Sequence, residues 1–193
     1  MNTLNVQLLL ASKSPRRQYL LKEAGYNFEV VSIDVEEDFP ADLKRAEVAA
    51  YLAEKKAKGY TADFNGKVLV TADTIVCVDD EVINKPADAA EAAAMLKKLS
   101  GRVHTVITGV CLRTELKTKV FTEETKVYFK PLTDEEINHY ITTCQPFDKA
   151  GAYGIQEWIG YIGVEKIEGD YYNVMGFPLA RFYKEINGFL LSS

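Results

Sequence analysis

Cysteine is scarce in this chain: Cys77, Cys111 and Cys144 are the only three in 193 residues. The count is odd and no C-x-x-C pair occurs, which argues against a disulfide framework and against a zinc site. The expected state is reduced thiols in a cytosolic protein. Histidine is scarcer still. His104 and His139 stand alone, and each reads as a core or surface residue rather than a ligand. No apolar run approaches the roughly 20 residues of a membrane span. Near the start the longest is Leu8-Leu9-Leu10-Ala11, and no positive region precedes it, so a secretory signal is not expected. Positive charge is not in excess: 23 Lys and Arg face 28 Asp and Glu, a net charge of −5. Duplex nucleic acid is therefore not an expected partner, although a local basic pocket is compatible with this balance. Neither G-x-x-x-x-G-K-[ST] nor G-x-G-x-x-G is present, so the P-loop and dinucleotide-binding readings lack their mechanical parts. No repeat or low-complexity tract appears.

What is there is an ordinary globular composition, 47% hydrophobic and 26% charged. The length predicts one domain over 1–193, or one domain with two lobes, which buries roughly 70% of its unfolded surface. Residues 7–11 read as a buried strand. Ser14 and Pro15 then offer an N-cap and a first-turn proline for a helix to about Ala24, stopped by Gly25. Strands are expected at 28–33, 67–78, 81–83, 103–113, 118–129 and 161–167. Helices are expected at 46–58, 88–99, from Thr133 to about Thr143, and from Pro178 to about Asn187. Thr133 and Glu136 form a capping box, and 103–113 with 118–129 reads as a hairpin. The alternation predicts a mixed α/β architecture, with ligands beyond strand ends where loops meet helix N-termini.

Four segments carry chemistry. The run Ala11-Ser12-Lys13-Ser14-Pro15-Arg16-Arg17 lies between the first strand and first helix. Free N–H groups at a helix start, two hydroxyls and two guanidinium forks make a phosphate cradle. The plainer reading is a capped helix with two solvated arginines. Thr71-Ala72-Asp73-Thr74 places a carboxylate inside an apolar strand, which is costly unless the group is paired, hydrogen-bonded or metal-bound. Lys85-Pro86 follows it past a turn, and Lys56 on the preceding helix is another cation available to the same cleft. The acidic loop Glu36-Glu37-Asp38 suits Mg²⁺ beside phosphate oxygens, or is simply solvated. Finally, Phe147 to Trp158 carries Gly151, Gly154 and Gln156. A side-chain amide donates and accepts at once, matching the carbonyl beside an N–H on uracil and thymine. A glutamate there would suit the adjacent donors of guanine. Tyr171, Tyr172, Met175 and Phe177 read as core or cleft lining.

Taken together these segments resemble the Maf family of nucleoside triphosphate pyrophosphatases, over roughly residues 8–186. The likeness is carried by Ala11-Ser12-x-Ser14-Pro15-Arg16-Arg17, Ala72-Asp73-Thr74-Ile75-Val76 and Lys85-Pro86. It continues through Leu99-Ser100-Gly101-x-x-His104-x-Val106-x-Thr108-Gly109-Val110, then Asp148-Lys149-Ala150-Gly151-Ala152-Tyr153-Gly154-Ile155-Gln156, then Asn173-Val174-Met175-Gly176-Phe177-Pro178. The Lys149 to Gln156 form is similar to the subgroup acting on dTTP and UTP. The subgroup acting on 7-methyl-GTP carries a glutamate-bearing variant.

The resemblance implies an elongated, twisted mixed sheet flanked by helices, Maf/ITPase-like, with two lobes around a cleft. It also implies a cytoplasmic, commonly homodimeric house-cleaning hydrolase that splits the α–β phosphoanhydride into nucleoside monophosphate and pyrophosphate. Modified pyrimidine nucleotides are further candidate substrates. By motif, Asp73 is the catalytic acidic residue and general base, or a metal ligand. Arg17, Thr74 and Gln156 set base preference. Ser12, Arg16, Lys56 and Lys85 hold the triphosphate, and Glu37 helps bind a divalent cation, Mg²⁺ or Mn²⁺. Two other readings stay open: a pyrophosphatase for 7-methyl-GTP or other modified purines, and a non-catalytic nucleotide sensor in cell-division control.

Overall fold

The computed structural model describes residues 6–191; the outer ends of the expected 1–193 domain, 1–5 and 192–193, lie outside the described residues. Among the described residues seven strands form one mixed sheet. They are β1 (Gln7–Leu10), β2 (Asn27–Val30), β3 (Val68–Val78), β4 (Glu81–Ile83), β5 (Val103–Arg113), β6 (Thr118–Phe129) and β7 (Val164–Glu168). The order is β2-β1-β3-β5-β6-β7, with β4 paired to β3. The first three in that order are parallel, and the rest pair antiparallel. The helices are α1 (Pro15–Glu23), α2 (Ala46–Lys58), α3 (Ala89–Leu99), α4 (Asp134–Cys144), α5 (Trp158–Gly163), α6 (Tyr171–Val174) and α7 (Leu179–Leu191).

β3 is buried along almost its whole length and runs as a near-continuous apolar stretch because helices cover both of its faces. On one face α2 packs Val48, Ala49 and Leu52 against Ile75, Cys77 and Ile107. On the other, α1 and α7 pack Leu20, Leu21, Phe182 and Ile186 against Leu8, Leu10, Val70 and Val110. The close seat of α2 depends on Gly109 of β5. A Cβ there would collide with the Ala49 carbonyl.

One detail of register opens the molecule. β1 pairs β3 only from Val68 to Val70, and β4 takes up the same edge again at Val76. Between them the edge of β3 over residues 71–75 has no neighbouring strand among the described residues, just beyond the carboxyl end of β1. β5 covers the opposite edge throughout. The gap is the floor of a cleft, at the strand-end position expected for a ligand site.

Two expected strands differ. The one expected at 28–33 ends at Val30, because its partner β1 ends at Leu10 and Val31 N–H makes the last bond, 3.0 Å to the Leu10 carbonyl. The chain then leaves the sheet to line the cleft with Ser32 and Ile33. The strand expected at 161–167 is split: α5 occupies its first half and β7 begins at Val164. Gly160 and Tyr161 both donate to the Glu157 carbonyl, at 2.9 and 3.2 Å, which closes a helical turn. Gly160 also sits so near the Ile155 carbonyl that a side chain would not fit. The final helix runs beyond Asn187 to Leu191, and α6 is an additional short helix over the tyrosine pair. The capping box at Thr133 and Glu136 is present.

Candidate functional site

The cleft holds about 490 Å³ and is lined by all nine residues singled out by sequence: Ser12, Arg16, Arg17, Glu37, Lys56, Asp73, Thr74, Lys85 and Gln156. Each arrives from a different local cause. Ser14 caps α1, its hydroxyl accepting from Arg17 N–H at 3.5 Å, and Pro15 occupies the first turn. Ser12 accepts from Ser14 N–H at 3.2 Å, so the loop is folded back over the helix's amino end.

Thr71 and Asp73 point to the same face of β3, since side chains alternate along a strand. That face is covered by α2: the Thr71 hydroxyl donates to the Ala53 carbonyl at 2.6 Å. Lys56 lies one helical turn beyond Ala53, which sets its ammonium 2.5 Å from Asp73 Oδ1. The buried carboxylate, 7% exposed, thus has the partner that its burial demands. Lys56 also donates to Glu37 Oε1 at 2.8 Å, and Lys85 to Glu37 Oε2 at 3.0 Å. Two carboxylates and two ammonium groups therefore alternate along the cleft floor. Burial pushes the Glu37 carboxyl up, but the hydrogen bonds and charges of Lys56 and Lys85 outweigh it and hold the pKa at about 2.

The two arginines part company. Arg17 is turned inward. Its Nε donates to the Gly176 carbonyl at 2.8 Å, Nη1 to the Ala72 carbonyl at 2.8 Å and to Ser12 at 3.4 Å, and Nη2 to Thr74 at 3.0 Å. Four of its five N–H groups serve the protein, and one of the acceptors is a carbonyl on the unpaired edge of β3. Burial lowers its pKa, with the nearby charge of Asp73 working against that shift. Arg16 reaches across the cleft mouth to Asp148, 132 residues away, at 3.0 Å. Burial raises the Asp148 carboxyl, and the bonds from Lys149 and Arg16 more than reverse this.

Thr74, on the face opposite Asp73, bonds Thr108 at 2.9 Å. Gln156 lines the cleft with its Oε1 buried and without a hydrogen-bond partner among the described residues. Sequence reasoning missed Lys149, Asp148 and Tyr153 as cleft residues. Their signal was present only as membership of the Gly151 and Gly154 motif. His104 is a core residue: Nε2 meets the Tyr153 hydroxyl at 2.7 Å and the ring packs edge-on against Phe129. His139 packs on Trp158. Cys77 and Cys111 are buried free thiols, pushed up by burial to about 11 and about 12 respectively, and Cys144 is also free.

No group of three or more His, Cys, Asp or Glu is gathered to hold a metal among the described residues. The donor set that does exist is Glu37 and Asp73, two hard oxygen ligands converging on one cationic point. That fits a magnesium-class ion only with phosphate oxygens and water completing its shell.

The sequence pattern of the family described as Maf-like protein matches residues 7–189. A dTTP/UTP pyrophosphatase of Cytophaga hutchinsonii is 49% identical over 182 residues, covering 94% of this chain and 84% of that protein. A dTTP/UTP pyrophosphatase of Parabacteroides distasonis is 48% identical over 190 residues, covering 97% and 98%. Among solved structures, a HAM1 protein from Coxiella burnetii aligns with a TM-score of 0.44 at 13% identity, over 64% of this chain and 73% of that one.

Proposed function

The chain belongs to the Maf-like protein family, and from that premise we propose that it hydrolyses dTTP and UTP to the nucleoside monophosphate and pyrophosphate. The observation that carries this reading is the floor of the cleft, where a buried strand carboxylate, Asp73, shares an ammonium partner with Glu37 below the amino end of α1. Its near relatives carry the same activity in their names.

A triphosphate repels hydroxide, so its charge must be offset where water attacks. Arg16, Lys85, Lys56 and the N–H groups at the start of α1 meet the phosphates. Asp73 uses Oδ1 for Lys56, and among the described residues Oδ2 has no hydrogen-bond partner. Oδ2 takes a proton from water as the water oxygen adds to phosphorus and the α–β bridging bond breaks, with pyrophosphate leaving. A divalent cation, Mg²⁺ or Mn²⁺, held by Glu37 and Asp73 would supply further neutralisation of the phosphate oxygens. Gln156 presents an acceptor and a donor to the pyrimidine edge. Arg17 and Thr74 support base preference from behind, by fixing the walls at Ala72, Ser12 and Gly176.

A homodimer and a cytoplasmic setting go with this reading. The three free cysteines support the second, and sedimentation checks the first. No helix among the described residues is long and apolar enough to cross a membrane. The test is a nucleotide panel of dTTP, UTP, CTP, GTP and 7-methyl-GTP with Mg²⁺ or Mn²⁺, with products identified. UMP or dTMP plus pyrophosphate is expected. Release of orthophosphate, a purine preference, or binding without turnover each overturns the reading.

A further inference from the structure

Lys149 is a lysine only 7% exposed, which is unusual for a long cationic side chain. Its ammonium lies 2.7 Å from Asp148 Oδ1 and 3.0 Å from Glu157 Oε1. Those two carboxylates stand at the two ends of the loop that carries Gln156. One cation therefore closes the loop at both ends. The second oxygen of Glu157 accepts from the Tyr140 hydroxyl, on α4, and that hydroxyl accepts from Gly154 N–H at 2.9 Å. Residues 154 and 157 are thus pinned to one buried network, with Gln156 between them. There is no slack in it: a Cβ on Gly154 would lie 2.8 Å from the Glu157 carboxyl carbon. Gln156 Oε1 is the one buried side-chain atom of this loop without a hydrogen-bond partner among the described residues, and so is open to a ligand donor.

We propose that Lys149 is a positioning residue for base selection: through Glu157 and Tyr140 it holds the Gln156 amide where a base edge must meet it. This rests on the reading of the cleft as a nucleotide site and deepens it. Burying an ammonium with two carboxylates is costly when either side is removed, so the network has one arrangement rather than several. Because Asp148 also accepts from Arg16, the same cation joins the phosphate end of the cleft to the base end.

The test uses the full chain with Lys149→Met, Glu157→Gln and Tyr140→Phe, and Lys149→Arg as the conservative rescue. Turnover of UTP, dTTP, CTP and GTP is measured beside thermal melting. In Lys149→Met and Glu157→Gln the preference for uracil and thymine over cytosine and guanine, as a ratio of kcat/KM, is expected to fall by about tenfold, the worth of one well-placed hydrogen bond. The fall comes mainly through KM, and Lys149→Arg restores most of the ratio. If Lys149→Met does not fold, Tyr140→Phe, which leaves every charge paired, decides the matter by the same ratio. A folded variant that slows all four substrates equally, with the ratio unchanged, overturns the proposal. If the unmodified chain prefers some other base, the functional reading fails, and the ratio for that base still tests Lys149.

Discussion

Asp73 is tolerated in an apolar strand because a single helical turn separates Ala53, which anchors Thr71, from Lys56, which pairs the carboxylate. The pairing keeps the carboxyl in place, and exposure to the cleft gives its other oxygen something to do. Asp73→Asn keeps shape and volume but cannot take a proton. We expect kcat to fall at least ~100-fold with the circular dichroism spectrum of the folded protein retained; unaltered turnover in the purified variant would refute the assignment. At this scale the sequence was informative where cost was visible. A carboxylate among Val68, Leu69, Val70, Ile75 and Val76 announces that it needs a partner. It was uninformative where partners are remote. Nothing local says that Arg16 meets Asp148, or that Arg17 is turned toward the protein rather than toward solvent.

Gly109 decides how α2 sits, and α2 carries Lys56. The missing side chain lets the helix backbone at Ala49 and Ala50 approach β5 directly. Gly109→Ala drives a methyl group into that backbone, which cannot yield as a side-chain tip does. Overpacking of this kind costs about 1–3 kcal/mol or more. Urea unfolding should show that loss, and the displaced helix should lower turnover as well by separating Lys56 from Asp73. Loss of stability without loss of turnover would mean that α2 tilts about Lys56. Most elements were legible from turn chemistry and periodicity, since Ser14 and Thr133 cap the helices they precede. The short helix α5 was not. Its run Trp-Ile-Gly-Tyr-Ile-Gly favours a strand by composition, and the contact that bends it, Gly160 against the Ile155 carbonyl, is a packing fact.

For the molecule as a whole, acid should be felt first through one core histidine. His104 is buried beside Tyr153 and Phe129, and burial lowers its pKa from 6.5 to about 3. An unfolded chain therefore binds a proton below about pH 6.5 that the native chain refuses until about pH 3. Stability is full above that window and declines as pH falls through it, at about 1.4 kcal/mol per pH unit where the difference is one whole proton. Glu37, held at about 2, adds its own loss only below about pH 4.5. Denaturant titrations at about pH 7, 6 and 5 should show the decline. His104→Gln, whose amide can still meet the Tyr153 hydroxyl, should flatten it. An equal slope in the variant assigns the proton elsewhere. Strand order was the least legible property at this scale. The pairing of β1 with β3, and the gap it leaves along residues 71–75, depends on contacts between distant segments rather than on any local pattern.

The Arg17 fork spans 159 residues to reach the Gly176 carbonyl, and the Thr108 hydroxyl reaches that of Thr74 on one side and the Asn173 carbonyl on the other. The pocket's back wall is thus closed by a segment far downstream of the acid and the lysines. A nascent or prematurely terminated chain would possess the acid, the lysines and the opening helix, yet have no wall to hold a nucleotide against them. Hydrolytic competence arrives only once the segment carrying Asn173 and Gly176 has folded onto the cleft.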